Sequence, residues 1–446
     1  DYRNQEVFFK IIINDCMKEE FLHYLWKYKK FNFSNLKTTN RLPIVLQRVG
    51  EHNQMNSGPD FFNAQLVIDN QKWAGNVEIH IKSSDWYVHH HESDPAYDNV
   101  ILHVVWENDI EVFRKNNSRI PALQLKDYID ENIVSQYQKL FQSKDVNWIQ
   151  CEKELCDVSD FIIFNWQERL YLERLEQKSE LIKELLNKSS NDWETVLFKL
   201  LSKNFGLKVN SDPFLSLANS FDFSILRKCS NNLKQLEALL YGQAGFLNPD
   251  SDVSYVKELL KHYQFLKNKF TLKNHGVLPF QFFRLRPSNF PTIRVSQLAN
   301  LYFKNKQLFS KVIMANDLEK FYELFDTSAS GFWKTHYTFD KESAARKKRV
   351  TKSFIHLILI NTVIPLKFLY AKSQGKDASE EILGLISQLP VEKNTISDKF
   401  ISLGVNMEDA LHSQSMIQLK NNYCDQKACL KCSIGNYLLN REGSLG

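Results

Sequence analysis

Two acids eighteen residues apart offer the first chemistry in this chain. Asp60 stands in Ser57-Gly58-Pro59-Asp60-Phe61-Phe62, and Glu78 opens Glu78-Ile79-His80-Ile81-Lys82. An acid at the head of one strand and a second on its neighbour can bring two carboxylates to a shared site. Oxygen donors of that kind suit Mg²⁺ or Mn²⁺. Such an ion lowers the pKa of an attacking water and stabilises charge on a phosphodiester. At about 3.3 Å per residue, His80 lies roughly 6.6 Å from Glu78 along a strand and Lys82 roughly 13 Å, all on one face. His80 is therefore expected to act as base or third ligand, and Lys82 to steady a phosphate.

Histidines crowd the same region. Six of the twelve fall between residues 52 and 103: His52, His80, His89, His90, His91 and His103. His89 and His91 with Asp94 form an alternative ligand set, because imidazole and carboxylate are ordinary zinc ligands. The plainer reading is a loop whose histidines bond backbone or touch a phosphate. His103, inside an apolar strand, is either a satisfied core histidine or a third imidazole facing Glu78.

Two further groups of residues stand outside this region. Cys424-x₄-Cys429-x₂-Cys432 places three thiols at a spacing that suits zinc or an iron–sulfur cluster. Cys151 or Cys156 can supply the fourth ligand and tie the C-terminus back. The alternative is a set of buried apolar thiols before a helix carrying Ile434, Tyr437 and Leu438. Arg284, Arg286 and Arg294 interleave with Phe282, Phe283 and Phe290 around Pro287 and Pro291. Such a pattern can clamp phosphates and stack bases, or it can be a rigid loop packed by its own rings. The basic run Lys341–Arg349 is a phosphate contact or a solvated face.

The elements that must hold these residues change character near residue 145. Before it, Phe62–Ile68, Trp73–Lys82, Asn99–Trp106 and Ala122–Leu125 read as strands, with Asp69-Asn70 as a hairpin turn. Val77, Ile79 and Ile81 alternate with Glu78, His80 and Lys82, which predicts one buried and one polar face. Val100–Val105 is nearly continuous apolar, as in a strand covered on both sides. Helices are expected over Glu19–Tyr28 and Lys126–Phe141. After residue 150 the pattern is helical: Asp160–Leu186 with a cap at Ser159 or Asp160, then Asp192–Asn204, Leu233–Tyr241, Ser254–Asn268, Val295–Asn305, Asp317–Phe325, Lys352–Ile364 and Ser379–Leu389. The expected class is α+β, with a mixed α/β sheet domain over 17–145 and a larger all-α domain over 146–446 that carries the cysteine cluster.

Composition sets the frame. The 446 residues include 43% apolar and 13% aromatic side chains, enough for packed cores and against a disordered or collagen-like chain. The balance of 57 basic against 52 acidic residues, +5, is compatible with nucleic acid as a partner. Seven cysteines, with Cys16 and Cys229 isolated, read as reduced intracellular thiols. Phe354–Ala371 is about long enough for a bilayer at roughly 20 residues, but His356, Asn361, Pro365 and Lys367 favour a core helix broken at Pro365. Met17-Lys18-Glu19-Glu20 looks like a natural start, with residues 1–16 as upstream sequence. A cytoplasmic protein with no membrane span is expected.

The Pro59-Asp60 and Glu78 pair resembles the motifs of the PD-(D/E)xK nuclease superfamily over about 50 residues. The departure is His80, which stands where that superfamily usually has lysine. The resemblance implies a nuclease-like sheet domain, phosphodiester hydrolysis and nucleic acid as substrate. Over nearly the whole chain from Met17, the sequence also resembles a bacterial family of unknown function, DUF2851. The segments that carry this are Gly58-Pro59-Asp60-Phe61, Gly75-Asn76-Val77-Glu78-Ile79-His80, Ser83-Ser84-Asp85-Trp86, Val100–Val105, Gly242-Gln243-Ala244-Gly245 and Arg286-Pro287-Ser288-Asn289-Phe290-Pro291. That second resemblance implies no activity. The readings to be weighed are a Mg²⁺- or Mn²⁺-dependent nuclease, a non-catalytic nucleic-acid binder or scaffold on the same core, and a zinc hydrolase built on His89 and His91.

Overall fold

A computed structural model describes residues 17–53, 57–142 and 147–441. The reading of residues 1–16 as upstream sequence and the expected domain junction at 145/146 fall outside the described residues. The protein is α+β. It divides into two compact units, one made of residues 1–163 together with 420–446, the other of residues 164–419. The junction thus lies at 163/164, and the cysteine-bearing C-terminal segment returns to the sheet unit.

In the sheet unit, helix α1 (Glu19–Lys27) precedes strands β1 (Leu36–Lys37), β2 (Pro43–Arg48), β3 (Glu51–His52), β4 (Phe61–Ile68) and β5 (Gln71–Lys82). Helix α2 (Asp85–Val88) leads towards β6 (Val100–Glu107), β7 (Ala122–Gln124) and helix α3 (Glu131–Gln142). The sheet order is β1-β2-β4-β5-β6-β7, with β3 pairing β4. The pairs β2–β4 and β4–β5 are antiparallel, whereas β5–β6 and β6–β7 are parallel. The β4–β5 hairpin turns at Asp69 and Asn70, both at positive φ (47° and 68°), the left-handed pair that a tight two-residue hairpin requires. β1, β2 and β3 escape the sequence pattern because β1 and β3 are two residues long and β2 is largely exposed, with no alternation to read.

Each sheet face has its own core. Val77, Ile79, Leu102 and Val104 pack with Phe21, Leu25 and Trp26 of α1, with Tyr137 and Leu140 of α3, and with Leu439. On the opposite face Trp86, Tyr97, Val100, Val112 and Ile120 form a smaller cluster. This second layer buries Glu78 and His80 on the polar face that the alternation in β5 predicts. Glu78 is only 4% exposed, His80 1% and His103 0%. β6 is buried along its whole apolar run, as its sequence predicts.

The second unit is helical around one apolar core that runs from Tyr171 to Leu411. The helix Asp160–Lys188 and those at Trp193–Phe205, Leu233–Gln243, Ser254–Phe270, Pro291–Lys304 and Leu318–Phe325 match the expected segments closely. Lys352–Ser373 has the length and apolarity to cross a membrane, but 72% of its most apolar window is buried in this unit, the behaviour of a core helix. Pro365 does not break it. The chain passes through a π-turn at Leu359–Val363 and continues as helix over Ile364–Ser373.

Candidate functional site

The site begins at a turn. Gly58 has φ +111°, a conformation that disfavours a side chain. Asn53 Nδ2 donates to Pro59 O (3.2 Å), and Asn53 N–H donates to Asp60 O (2.8 Å), fixing Asp60 as the chain enters β4. Antiparallel pairing of Phe61 with Val77 then sets residue 60 across from residue 78. The two acids clasp each other's strands. Glu78 Oε2 accepts the Asp60 N–H (3.1 Å), and Asp60 Oδ2 accepts the Ile79 N–H (3.0 Å). The expected convergence of Asp60 and Glu78 is thus present, reinforced by a β-bulge between Phe61 and Ala64, with Asn63 at φ 57°.

The histidines converge on Glu78. Parallel pairing puts His103 beside Glu78, and His103 Nε2 lies 2.8 Å from His80 Nδ1. The return segment after β5 is pinned at Ser83, whose Oγ accepts the N–H groups of Asp109 and Ile110 (3.0 Å each). Trp86 is then buried against His91 and His103. His90 takes the left-handed conformation (φ 60°) and points outward, with its side chain 82% exposed. His91 turns inward instead, and His89, though exposed, reaches back to the strand. His89 Nδ1 lies 3.1 Å from His80 Nε2. Glu78 Oε1 lies 3.5 Å from His80 Nε2 and 3.3 Å from His91 Nε2. His91 stacks on Tyr97 with ring centres 3.7 Å apart. One donor atom from each of His80, His89 and His91 lies within 4.8 Å of the others, and no other trio of His, Cys, Asp or Glu does so among the described residues. Asp94 is spent elsewhere, accepting the Ala96 N–H in a turn.

Burial and mutual charge set the protonation states. Burial, then the neighbouring Asp60, pushes Glu78 up to about 9. Burial, helped by the adjacent imidazoles, holds His80 far below the usual histidine range and lowers His103 to about 3. Burial lowers His91 too. These rings are therefore neutral, the form that offers a lone pair to a metal. His23 goes the other way. Burial opposes its charging, but the Asp60 carboxylate 3.1 Å from Nε2, with Glu19 and Glu78 nearby, raises its pKa. Glu19 is raised by burial and by Asp60. Glu19 and His23 had no place in the sequence reading. The signal was an acid and an imidazole four residues apart, which a helix stacks on one face.

A family model described as "Protein of unknown function (DUF2851)" matches residues 19–395. The chain belongs to this family. The match begins at Glu19 and includes every residue of the acid–histidine site, while Cys424, Cys429 and Cys432 lie beyond it. Comparisons with curated proteins and with solved structures give no match for this DUF2851 chain.

The other sequence candidates of the DUF2851 chain fall in different surroundings. Lys82 is exposed at the end of β5, opposite Glu107 in the register with β6, while its N–H donates to Asp85 Oδ2 (2.9 Å). Cys429 belongs to the core beneath the sheet, and Cys151 and Leu430 pack against that same core. Lys420 over Trp148 (5.0 Å) and Arg441 on Asp157 (2.8 Å) hold the two segments together. Burial first, then neighbouring cysteines, raises the Cys151, Cys424 and Cys429 thiols, the last to about 12. Cys156 is exposed. In the helical unit Arg284 and Arg286 are exposed, and Arg284 lies over Phe283. Arg294 is different: it is 6% exposed, its guanidinium sits 3.7 Å from the Phe354 ring centre, and it bonds Asn289 and Gln297. Buried in that way, it does not present itself to a polynucleotide.

Proposed function

We propose that this DUF2851 protein is a metal-dependent phosphodiester hydrolase of the nuclease kind, acting on DNA or RNA. The observation that carries the reading is the reciprocal bonding of Asp60 and Glu78 next to a cluster of neutral imidazoles. The mixed sheet supports it, because the first acid heads one strand and the second lies on its neighbour, as the nuclease resemblance requires.

Glu78 and the imidazoles around it are suited to hold a divalent ion. When bound, that ion supplies an acidified water and a counter-charge for phosphate. His80 is expected to act as a ligand rather than a base, since its Nδ1 is engaged by His103 and burial keeps the ring from charging. Proton handling then falls to His23 and Asp60. Asp60 orients the imidazole and favours its charged form, so His23 can deliver a proton to a leaving oxygen. Both sit at the more open side of the site, with side chains 17% and 22% exposed. Arg284 and Arg286 are proposed as nucleic-acid contacts in the helical unit, and Lys82 as a phosphate contact at the strand end. Cys151, Cys424, Cys429 and Cys432 are proposed to hold zinc or an iron–sulfur cluster, in keeping with a cytoplasmic setting where thiols stay reduced.

The test is cleavage of single- and double-stranded DNA and RNA with Mg²⁺, Mn²⁺ or Zn²⁺, beside the Asp60→Ala/Glu78→Ala double variant. Metal-dependent products absent from the variant are expected. Identical products from both proteins would reject the assignment. The near-complete burial of Glu78 favours a second reading, a nucleic-acid binder or scaffold on a silent core. That reading requires salt-sensitive binding with no cleavage and no dependence on Glu78.

A further inference from the structure

We infer that the acid–histidine site is a transition-metal centre of the Zn²⁺ type, with His80 Nε2, His89 Nδ1, His91 Nε2 and Glu78 Oε1 as its ligands, and not a Mg²⁺ site. The inference rests on the metal-dependent reading of this site and names the ion that the site takes.

Donor chemistry separates the two ions. Mg²⁺ demands oxygen ligands in near-octahedral array and keeps several waters, whereas imidazole nitrogen suits Zn²⁺, Fe²⁺, Ni²⁺ and Cu²⁺. Three imidazoles each bring a donor atom within 4.8 Å of the others, and Glu78 Oε1 faces two of those rings. Spacing agrees. Bonds of about 2.0–2.1 Å to a tetrahedral zinc place neighbouring donors about 3.3–3.4 Å apart. The measured separations are 3.1 Å for His80–His89, 3.3 Å for His91–Glu78 and 3.5 Å for His80–Glu78.

Support around the ligands is of the kind metal sites need. A ligating histidine ordinarily donates its other ring N–H to a fixed partner, which selects the tautomer. His80 meets this through Nδ1, 2.8 Å from His103 Nε2. The His103 ring is held in turn against Trp86 (5.6 Å), and His91 is clamped between His80 and Tyr97. The outward turn at His90 lets its two neighbours reach one point. A histidine loop serving only to bond backbone would not aim His91 at a buried carboxylate and His89 at the buried His80.

The test uses the full chain, stripped with a chelator and dialysed. Zn²⁺ or Mg²⁺ alone is titrated by calorimetry, bound metal is counted by mass spectrometry, and Co²⁺ serves as a visible-light probe of ligand type. Wild type is expected to take one more equivalent of zinc than His89→Ala or His91→Ala, while His90→Ala and Cys429→Ser retain that equivalent. The cobalt spectrum of wild type minus that of His89→Ala is expected to show d–d bands without a thiolate charge-transfer band. Millimolar Mg²⁺ is expected neither to bind nor to displace zinc. Melting curves establish that each variant is folded, and His89, at the open side, is the position least demanding of the core. Equal zinc content in wild type, His89→Ala and His91→Ala, or displacement of zinc by Mg²⁺, would overturn the inference. Zinc bound without cleavage of any polynucleotide leaves the centre standing and sinks the nuclease reading. Cleavage by zinc-free protein with Mg²⁺ alone does the reverse.

Discussion

His103 Nε2 stands 2.8 Å from His80 Nδ1, inside the sheet, with neither ring open to water. One nitrogen must donate and the other accept. If His80 offers Nε2 to an ion, its Nδ1 carries the proton and His103 Nε2 accepts it, which leaves the second His103 nitrogen protonated. That atom, Nδ1, has no hydrogen-bond partner. In that tautomer His103 carries a buried donor without a partner, and orienting His80 is the role this geometry assigns to it.

His103→Phe keeps the bulk of the ring and removes the acceptor. Zinc affinity at the site is expected to fall by about 10–100-fold, as loss of an outer partner ordinarily does. Competition titration against a chromophoric chelator measures it. An unchanged affinity would show that His103 is core filling only.

The strand pattern around these residues was legible, and its chemistry only partly so. The β4–β5 hairpin, the continuous run of β6 and the opposition of Asp60 and Glu78 all followed from alternation, turn residues and spacing. The burial of Glu78, His80 and His103 did not, because the layer that covers them comes from Trp86, Tyr97, Val112 and Ile120, scattered through connecting segments with no period. For the same reason His80, His89 and His91 could be read as separate hypotheses. They form one cluster because the turn at His90 folds two loop residues onto a strand, and no spacing rule encodes that. Glu19 and His23 carried a helical signal but nothing marking the strand they would meet. Arg294 lay in the same arginine–phenylalanine pattern as Arg284 and Arg286, which does not say which side chain turns inward.

The carboxyl of Glu78 makes metal-free stability depend on pH in a definite direction. Its folded pKa is about 9, against 4.5 for an ordinary glutamate, so the folded state binds the proton more tightly. The contribution is fully present below about 4.5 and is lost as pH rises towards 9. Glu78→Gln mimics the neutral acid and removes this slope. In chelator, the variant is expected to gain melting temperature relative to wild type as pH increases from 5 to 8. A constant difference would contradict a neutral Glu78. His103, with a folded pKa of about 3, acts oppositely: stability falls as pH drops from about 6.5 towards 3.

The arginines of the helical unit are expected to part company in the same way that their exposure does. Arg294→Ala removes a buried guanidinium from the Phe354 ring and should destabilise the protein by about 2 kcal/mol or more, the scale of a desolvated cation–π contact. Arg284→Ala and Arg286→Ala should leave the melting temperature nearly unchanged. If the pattern touches nucleic acid, these two lower the salt slope of binding by about one ion each. Denaturant melts and salt-dependent binding curves separate the two classes. A destabilising Arg286→Ala would reverse the assignment.

Lys178 and Pro365 form a compensated pair. In the π-turn the Ile364 N–H reaches back five residues to Leu359 O, so the next donor in register would be residue 365, aimed at Ile360 O. Proline has no N–H. Lys178 Nζ takes its place, donating to Ile360 O (3.2 Å) and to Asn361 Oδ1 (2.9 Å). Burial lowers this amine to about 7, so it can reside in the core without a full charge at mildly alkaline pH. Lys178→Met leaves the carbonyl unpaired and is expected to cost about 1–3 kcal/mol. Pro365→Ala restores a backbone donor, so the same Lys178→Met change should cost less in that background. Urea melts of the four proteins in the double-mutant cycle give the coupling. Equal costs in both backgrounds would mean that the lysine and the missing amide do not serve the same oxygen.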